Sequence, residues 1–199
     1  MRGQQKVYDY LAQLGVGFDY YEHPAVRTIE ESSHYYRGEG TTMCKNLFFR
    51  NHKGNRHYLV VMNARHQMNI HDIELRLHQG KLSFASPERM MKYLGVTPGS
   101  VSLFNLVNDE NHEVILFVDN SLKQAAHLSF HPNDNTASLV ISNEGMMKFI
   151  HTIGNPYEFL DLYDDEPPVP RRVGERLLIR WEILLITRKI NVSRETTRI

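Results

Sequence analysis

The chain has 199 residues, and its 23 Lys and Arg balance its 23 Asp and Glu, so the formal net charge is zero at neutral pH. That length supports one well-filled core, and neutrality supplies no global field to draw the chain onto a polyanion, so any nucleic-acid contact must use a local patch. A single cysteine, Cys44, excludes an internal disulfide and fits a reducing, cytoplasmic compartment; no run approaches the roughly 20 apolar residues that span a bilayer, and Met1 to Leu14 has no charged-then-apolar signal layout.

In chain order, Val7, Tyr10, Leu11 and Leu14 recur at helical spacing before Gly15, which predicts an amphipathic helix over residues 4–14. Phe18 to Tyr21 alternates and meets His23-Pro24, a short strand ending at a turn. Thr28 with Glu31 has capping-box spacing and places a helix at about residues 29–36. Strands follow at Lys45 to Phe49 and His57 to Met62, joined through Asn51-His52-Lys53-Gly54-Asn55 as a hairpin. Ile70 to Leu77 reads as a helix and Lys81 to Phe84 as a strand. Ser86-Pro87 opens another helix, with a cap residue and a proline at the first helical position, and Gly95 closes it.

Thr97-Pro98-Gly99-Ser100 is a turn in which Pro and Gly supply the special φ values. Glu113 to Asp119 is a buried strand and Asn120 to Gln124 a helical turn. Leu128 to Phe130 leads into the polar turn His131 to Ala137, and Ser138 to Ser142 leaves it as a strand. Ser142 caps a final helix through Ile150. Helices and strands are intermixed, which predicts an α+β class: a mixed, largely antiparallel sheet with helices packed around it. From Asp164 the chain turns charged and proline-rich, then apolar and basic around Trp181. Residues 1–163 are therefore expected to form the domain, with 164–199 a linker and extension of unassigned role.

Few residues declare chemistry alone. Lys45, beside a glycine-bearing loop, is either a phosphate anchor or a solvated lysine at a sheet end. Gly38 to Thr42 lacks the spacing of a P-loop. Eleven histidines invite a metal reading, but His66, His71 and His78 lack the spacing of ligands on one helix face and no cysteine cluster supports them, so no metal and no cofactor is expected. Cys44 reads as a bystander thiol. No Gly-x-Ser-x-Gly elbow or nucleophilic triad is present.

Several segments together resemble one family: Tyr20 to Val26 with Thr28 to Glu31, Lys45-Asn46-Leu47-Phe48, Lys81 to Ala85, Leu94 to Val101, and Phe130-His131-Pro132-Asn133 with Asn135-Thr136-Ala137. In this order they resemble the YbaK/ProX group of aminoacyl-tRNA editing domains, most of all the freestanding prolyl-tRNA-editing deacylases. The resemblance covers about residues 4–162 and implies a YbaK-like, barrel-like fold. It implies hydrolysis of the ester that joins a wrong amino acid, alanine in the first instance, to tRNA specific for proline, by substrate-assisted attack of an ordered water. Lys45 would hold the phosphate of the terminal adenosine. His131 and Asn135 would shape and hydrogen-bond the pocket, and Thr97, Gly99, Ser100, Val101, Pro132 and Thr136 would line it. The implied partners are the aminoacyl-tRNA acceptor end and prolyl-tRNA synthetase, with no membrane. A catalytically inactive homologue that binds tRNA or the synthetase is the alternative, and a phosphate-ligand binder unrelated to tRNA a third reading.

Overall fold

The computed structural model describes residues 1–25, 35, 38–66 and 69–163. The chain divides into two compact units, 1–168 and 169–199; the second lies wholly outside the described residues, as do the extension from Asp164 and, Tyr35 apart, the helix expected at 29–36. Eight strands form one sheet: β1 Phe18–Glu22, β2 Thr41–Asn51, β3 His57–Asn63, β4 Leu82–Phe84, β5 Val114–Asp119, β6 His127–Phe130, β7 Ala137–Ser142 and β8 Tyr157–Leu160. The order is β1-β7-β6-β2-β3-β5-β8, with β4 added on β2. Four pairings are antiparallel (β1 with β7, β2 with β3, β2 with β4, β6 with β7) and three are parallel (β2 with β6, β3 with β5, β5 with β8). The mixed, largely antiparallel sheet expected from the sequence is present.

The helices are α1 Gln5–Gln13, α2 Ile70–Leu77, α3 Pro87–Leu94 and α4 Asn143–Thr152, with 3-10 segments η1 Leu103–Asn108 and η2 Asn120–Gln124. Local chemistry sets their ends. The Ser86 hydroxyl accepts from the Arg89 N–H at the start of α3, and Gly95 ends that helix in the left-handed region at φ 65°. Ser142 caps α4 in the same way through the Gly145 N–H. β3 is buried on both faces, which is why it reads as a continuous apolar run. Leu59 and Val61 face the larger core with Phe48, Leu116, Val118 and the helices α1 and α4; Tyr58, Val60 and Met62 face a smaller core with Phe49, Phe117 and α2.

Two expectations are corrected. β2 begins at Thr41, four residues before the expected start, because Thr41 to Met43 pair in parallel with β6. Lys45 is therefore inside the strand and not at its mouth. The η1 segment and β8 follow no signal read in the sequence: η1 is capped by Ser102 with Asn105, a shorter side chain than the Glu or Gln of the usual box, and β8 is a four-residue strand that pairs, among the described residues, with β5.

His57 opens β3 under a ring stack: its centroid lies 3.9 Å from Tyr93 and 5.7 Å from Phe48, and its Nε2 accepts from Arg89 Nη1 at 2.7 Å. Burial, then the positive charges of Arg89 and Lys92, push the imidazole down from 6.5 to about 4. The unfolded chain therefore takes up a proton between those values that the folded chain does not. The contribution of His57 to stability is complete above about pH 6.5 and declines as pH falls towards about 4. Urea unfolding at a series of pH values is expected to show this decline, and His57→Gln to flatten it; identical slopes for the two proteins would remove His57 as its source.

Candidate active site

Two connections distant in sequence meet beside β2. One is the turn after α3, where the Ser100 N–H donates to the Thr97 carbonyl at 3.2 Å and Gly99 takes a φ of 96°, with Pro98 ahead of it as a type II turn requires. The other is the loop from His131 to Thr136 between β6 and β7. They touch: a Cβ placed on Gly99 would stand 3.3 Å from Asn135 Nδ2, so the turn and the Asn135 amide lie against each other with little room for a larger residue.

The loop is fixed from inside. The Asp134 carboxylate accepts from the Thr136 N–H at 2.8 Å and from its hydroxyl at 2.6 Å. Burial would raise the Asp134 carboxyl, but the Thr136 hydrogen bonds, with Arg2 and His131 nearby, outweigh it and hold the group below its ordinary value. Asn133 sits in the left-handed region at φ 63° and is buried. His131 Nδ1 donates to the Ala137 carbonyl at 3.1 Å. A carbonyl can only accept, so Nδ1 carries the hydrogen and, in the neutral ring, Nε2 carries the lone pair.

A network of amides joins the loop to the rest of the domain. Asn133 Oδ1 accepts from Asn105 Nδ2 at 2.7 Å, and Asn133 Nδ2 donates to Gln4 Oε1 at 2.9 Å. Gln4 Oε1 also accepts from Asn108 Nδ2, Gln4 Nε2 donates to the Gly95 carbonyl, and the Gln4 N–H donates to the Pro132 carbonyl. The Ser102 hydroxyl donates to the His131 carbonyl at 2.7 Å, and Asn46 Oδ1 accepts from the Leu103 N–H at 3.0 Å. Behind the loop, the buried His23 stands between the Pro24 carbonyl, 2.9 Å from Nδ1, and the Ser138 hydroxyl, 3.0 Å from Nε2; its ring lies 6.2 Å from that of His131.

The structure thus brings Thr97 to Val101 together with His131, Pro132, Asn135 and Thr136. Lys45 is not brought to this junction: its neighbour Asn46 holds η1 from one face of β2, while Lys45 pairs with Met62 on the opposite face, which also carries Leu47 and Phe49. Among the described residues no ion pair includes Lys45. Gln4, Ser102, Asn105 and Asn133 drew no role from the sequence, since only the Ser102 to Asn105 spacing is a local signal. Burial pushes the Cys44 thiol up, the opposite of an activated thiolate. Among the described residues no group of three or more His, Cys, Asp or Glu could hold a metal ion, and no helix is long and apolar enough to cross a membrane. Concavities of about 330 Å³, beside Tyr10 and Leu106, and about 680 Å³, beside Asp119 and Tyr163, are lined by none of the expected site residues.

The family model described as the aminoacyl-tRNA editing domain matches residues 23–149. The prolyl-tRNA editing protein ProX of Acetoanaerobium sticklandii is 36% identical over 162 residues, 81% of this chain and 99% of its own length. The prolyl-tRNA synthetase associated domain-containing protein 1 of Mus musculus is 29% identical over 149 residues, covering 73% of this chain and 88% of its own. A crystal structure described as a candidate trans-editing enzyme for prolyl-tRNA synthetase shares the fold, with a TM-score of 0.60, 22% identity, and coverage of 78% of this chain and 94% of that one. The chain belongs to the family of aminoacyl-tRNA editing domains, of the YbaK/ProX type, and so to the aminoacyl-tRNA deacylases.

Removing the Asn133 side chain takes one hydrogen bond from each of two amides that keep their other partners, a loss of about 1–3 kcal/mol for the two bonds together. Asn133→Gly keeps the left-handed backbone, whereas Asn133→Ala adds roughly 1–2 kcal/mol of steric strain there. Chemical denaturation is expected to rank wild type above Asn133→Gly above Asn133→Ala, the reverse of the usual Ala-over-Gly order; the usual order would show that the loop does not hold this conformation in solution.

Proposed function

We propose that this deacylase clears alanine from tRNA specific for proline, acting in trans on the acceptor end. The observation that carries the reading is the meeting of the Thr97–Val101 turn with the His131–Thr136 loop, where Gly99 abuts Asn135. An aminoacyl ester is already activated, so a site that orients water and hydrogen-bonds the developing oxyanion is sufficient for its hydrolysis. Water attacks the ester carbonyl carbon, the bond to the ribose oxygen breaks, and the proton from water ends on that oxygen, with the adjacent ribose hydroxyl assisting. Asn135 and His131 shape and hydrogen-bond the pocket. The support for His131 as a positioned polar wall and not a triad base is that its Nδ1 is held by a carbonyl where a triad has a carboxylate. Thr97, Gly99, Ser100, Val101, Pro132 and Thr136 line the aminoacyl pocket, whose closeness excludes proline by size; a single methylene is worth about 1–3 kcal/mol in such a pocket.

Lys45 anchors the phosphate of the terminal adenosine as a point charge. Loss of one charge-assisted hydrogen bond, about 1.5–3 kcal/mol, corresponds to a fall of roughly 10- to 100-fold in kcat/KM for Lys45→Ala. The measurement is loss of the ester from alanyl-tRNA for proline alongside seryl and prolyl controls. Unchanged kinetics in Lys45→Ala would take the phosphate role from that residue, and a wild type no faster than buffer would sink the catalytic reading. A second reading, a regulator that binds prolyl-tRNA synthetase and leaves esters intact, is favoured by the names of relatives such as that of Mus musculus; co-purification with the synthetase in the absence of ester cleavage is its signature.

A further inference from the structure

Positive charge is not spread evenly over this neutral chain. At the far end of β2, the Arg50 guanidinium donates to the Asn51 and His52 carbonyls, both at 3.1 Å, and Arg89 Nη1 reaches across from α3 to the Gly54 carbonyl at 2.8 Å and to His57. Tyr93 stacks on His57, and Lys92 Nζ lies 4.7 Å from the Tyr93 ring centre. These contacts place Arg50, Arg89 and Lys92 around one aromatic floor, and the exposed Lys53 extends the cluster at the hairpin turn, whereas Arg56 lies beside Tyr58 on the opposite face of the sheet. Every anchoring contact of Arg50, Arg89 and Lys92 is to a carbonyl or a ring, so the charges are positioned without being neutralised. Among the described residues, the ion pairs join Arg2 to Glu22, Lys6 to Glu110 and His71 to Glu74, and none involves these four. Glu88 is the one acidic residue of α3 and lies in its first turn, where a carboxylate is favoured by the helix N-terminus.

The patch also has a fixed relation to the candidate site. Arg50 is four residues along β2 from Asn46, on the same face and about 14 Å away at strand spacing, and Asn46 holds η1 at the junction. Lys92 lies in the last turn of α3, five residues before Thr97, so the patch and the pocket share both a strand and a helix-to-turn connection. A substrate whose reacting ester sits at the end of a long polyanion needs such a neighbouring surface, because the ester alone carries little binding energy.

We propose that Arg50, Lys53, Arg89 and Lys92 form the docking surface for the phosphate backbone of the tRNA acceptor stem, next to the pocket that receives the aminoacyl end. The proposal rests on the deacylase reading for the identity of the polyanion. Phosphate neutralisation releases counterions, so binding should weaken steeply with salt, by roughly 0.7–0.9 in the log–log slope for each phosphate contact. Lys53 and Lys92 are exposed and can be changed without disturbing the capped hairpin.

The test compares wild type, the double variant K53A/K92A and its charge-keeping counterpart K53R/K92R. Three measurements are made on each: tRNA binding by fluorescence anisotropy across a salt series, deacylation of alanyl-tRNA, and deacylation of an alanyl ester of adenosine monophosphate, which has no stem. The expected result is a salt slope about 1–2 lower in the alanine variant. Its KM for the full tRNA should rise at least about tenfold, its rate on the minimal ester should match wild type, and the charge-keeping variant should recover binding. An alanine variant with wild-type slope and KM overturns the docking surface while leaving the deacylase reading intact. A wild type that cleaves neither ester overturns the deacylase reading, and the anisotropy series still decides the surface by itself.

Discussion

The domain is organised around a small set of side-chain amides that must all be satisfied away from water. Asn105 and Asn133 are buried: Asn105 has local partners in the Ser102 N–H and the Ser100 carbonyl and meets Asn133 only when the loop after β6 arrives, while Asn133 needs both η1 and the residue ahead of α1. An amide left unpaired in such a place costs about 1–3 kcal/mol, comparable to a sizeable fraction of the stability of a domain. Apolar packing of Phe104 against Phe130 and Phe149 would tolerate small slips at this junction, whereas hydrogen bonds of 2.7–2.9 Å between amides do not. The polar network therefore selects a single arrangement of the loops that the hydrophobic core only brings close.

This division of labour suits chemistry by positioning. Asn135 is held next to Gly99 by a loop whose neighbours on both sides are tied down: Asn133 by amides, and Thr136 by the Asp134 carboxylate. His131 has its tautomer set by a main-chain carbonyl. None of these groups needs an altered reactivity; each needs a fixed place, which is what a site acting through a bound water and hydrogen-bond donors demands.

Much of the fold was legible because its signals are local. The Ser86-Pro87 start and Gly95 stop of α3, the Asn51 to Asn55 hairpin and the helix at Ile70 to Leu77 each rest on residues within one element, and the structure places them within a residue or two. What was not legible depends on distant partners. Thr41 to Met43 look like a continuation of the Gly38 to Gly40 loop until β6 offers them a parallel partner. β8 is a strand because β5 has a free edge, and η1 because an asparagine substitutes for the acid of a capping box. At the site, the sequence grouped Thr97 to Val101 with His131 to Thr136 through a family resemblance, and the physical reason for the grouping lay in residues with no periodicity or motif to announce them. Gln4 is the clearest case: a glutamine just ahead of a helix looks like solvent-facing punctuation, yet it joins three connections at once.

The early start of β2 has a consequence for how the domain comes apart. Its first three residues belong to the ladder with β6, and through β6 to β7 and β1; the rest belong to the ladder with β3, and through β3 to β5 and β8. The same strand closes both halves, so neither can open by sliding past the other without breaking β2 itself. Local unfolding is then expected at the periphery, in strands such as β4 and β8, and the amides of central β2 are expected to exchange with solvent late. The strand that carries Lys45 and Asn46 is held by both ladders, and the site takes its anchorage from the connectivity of the sheet.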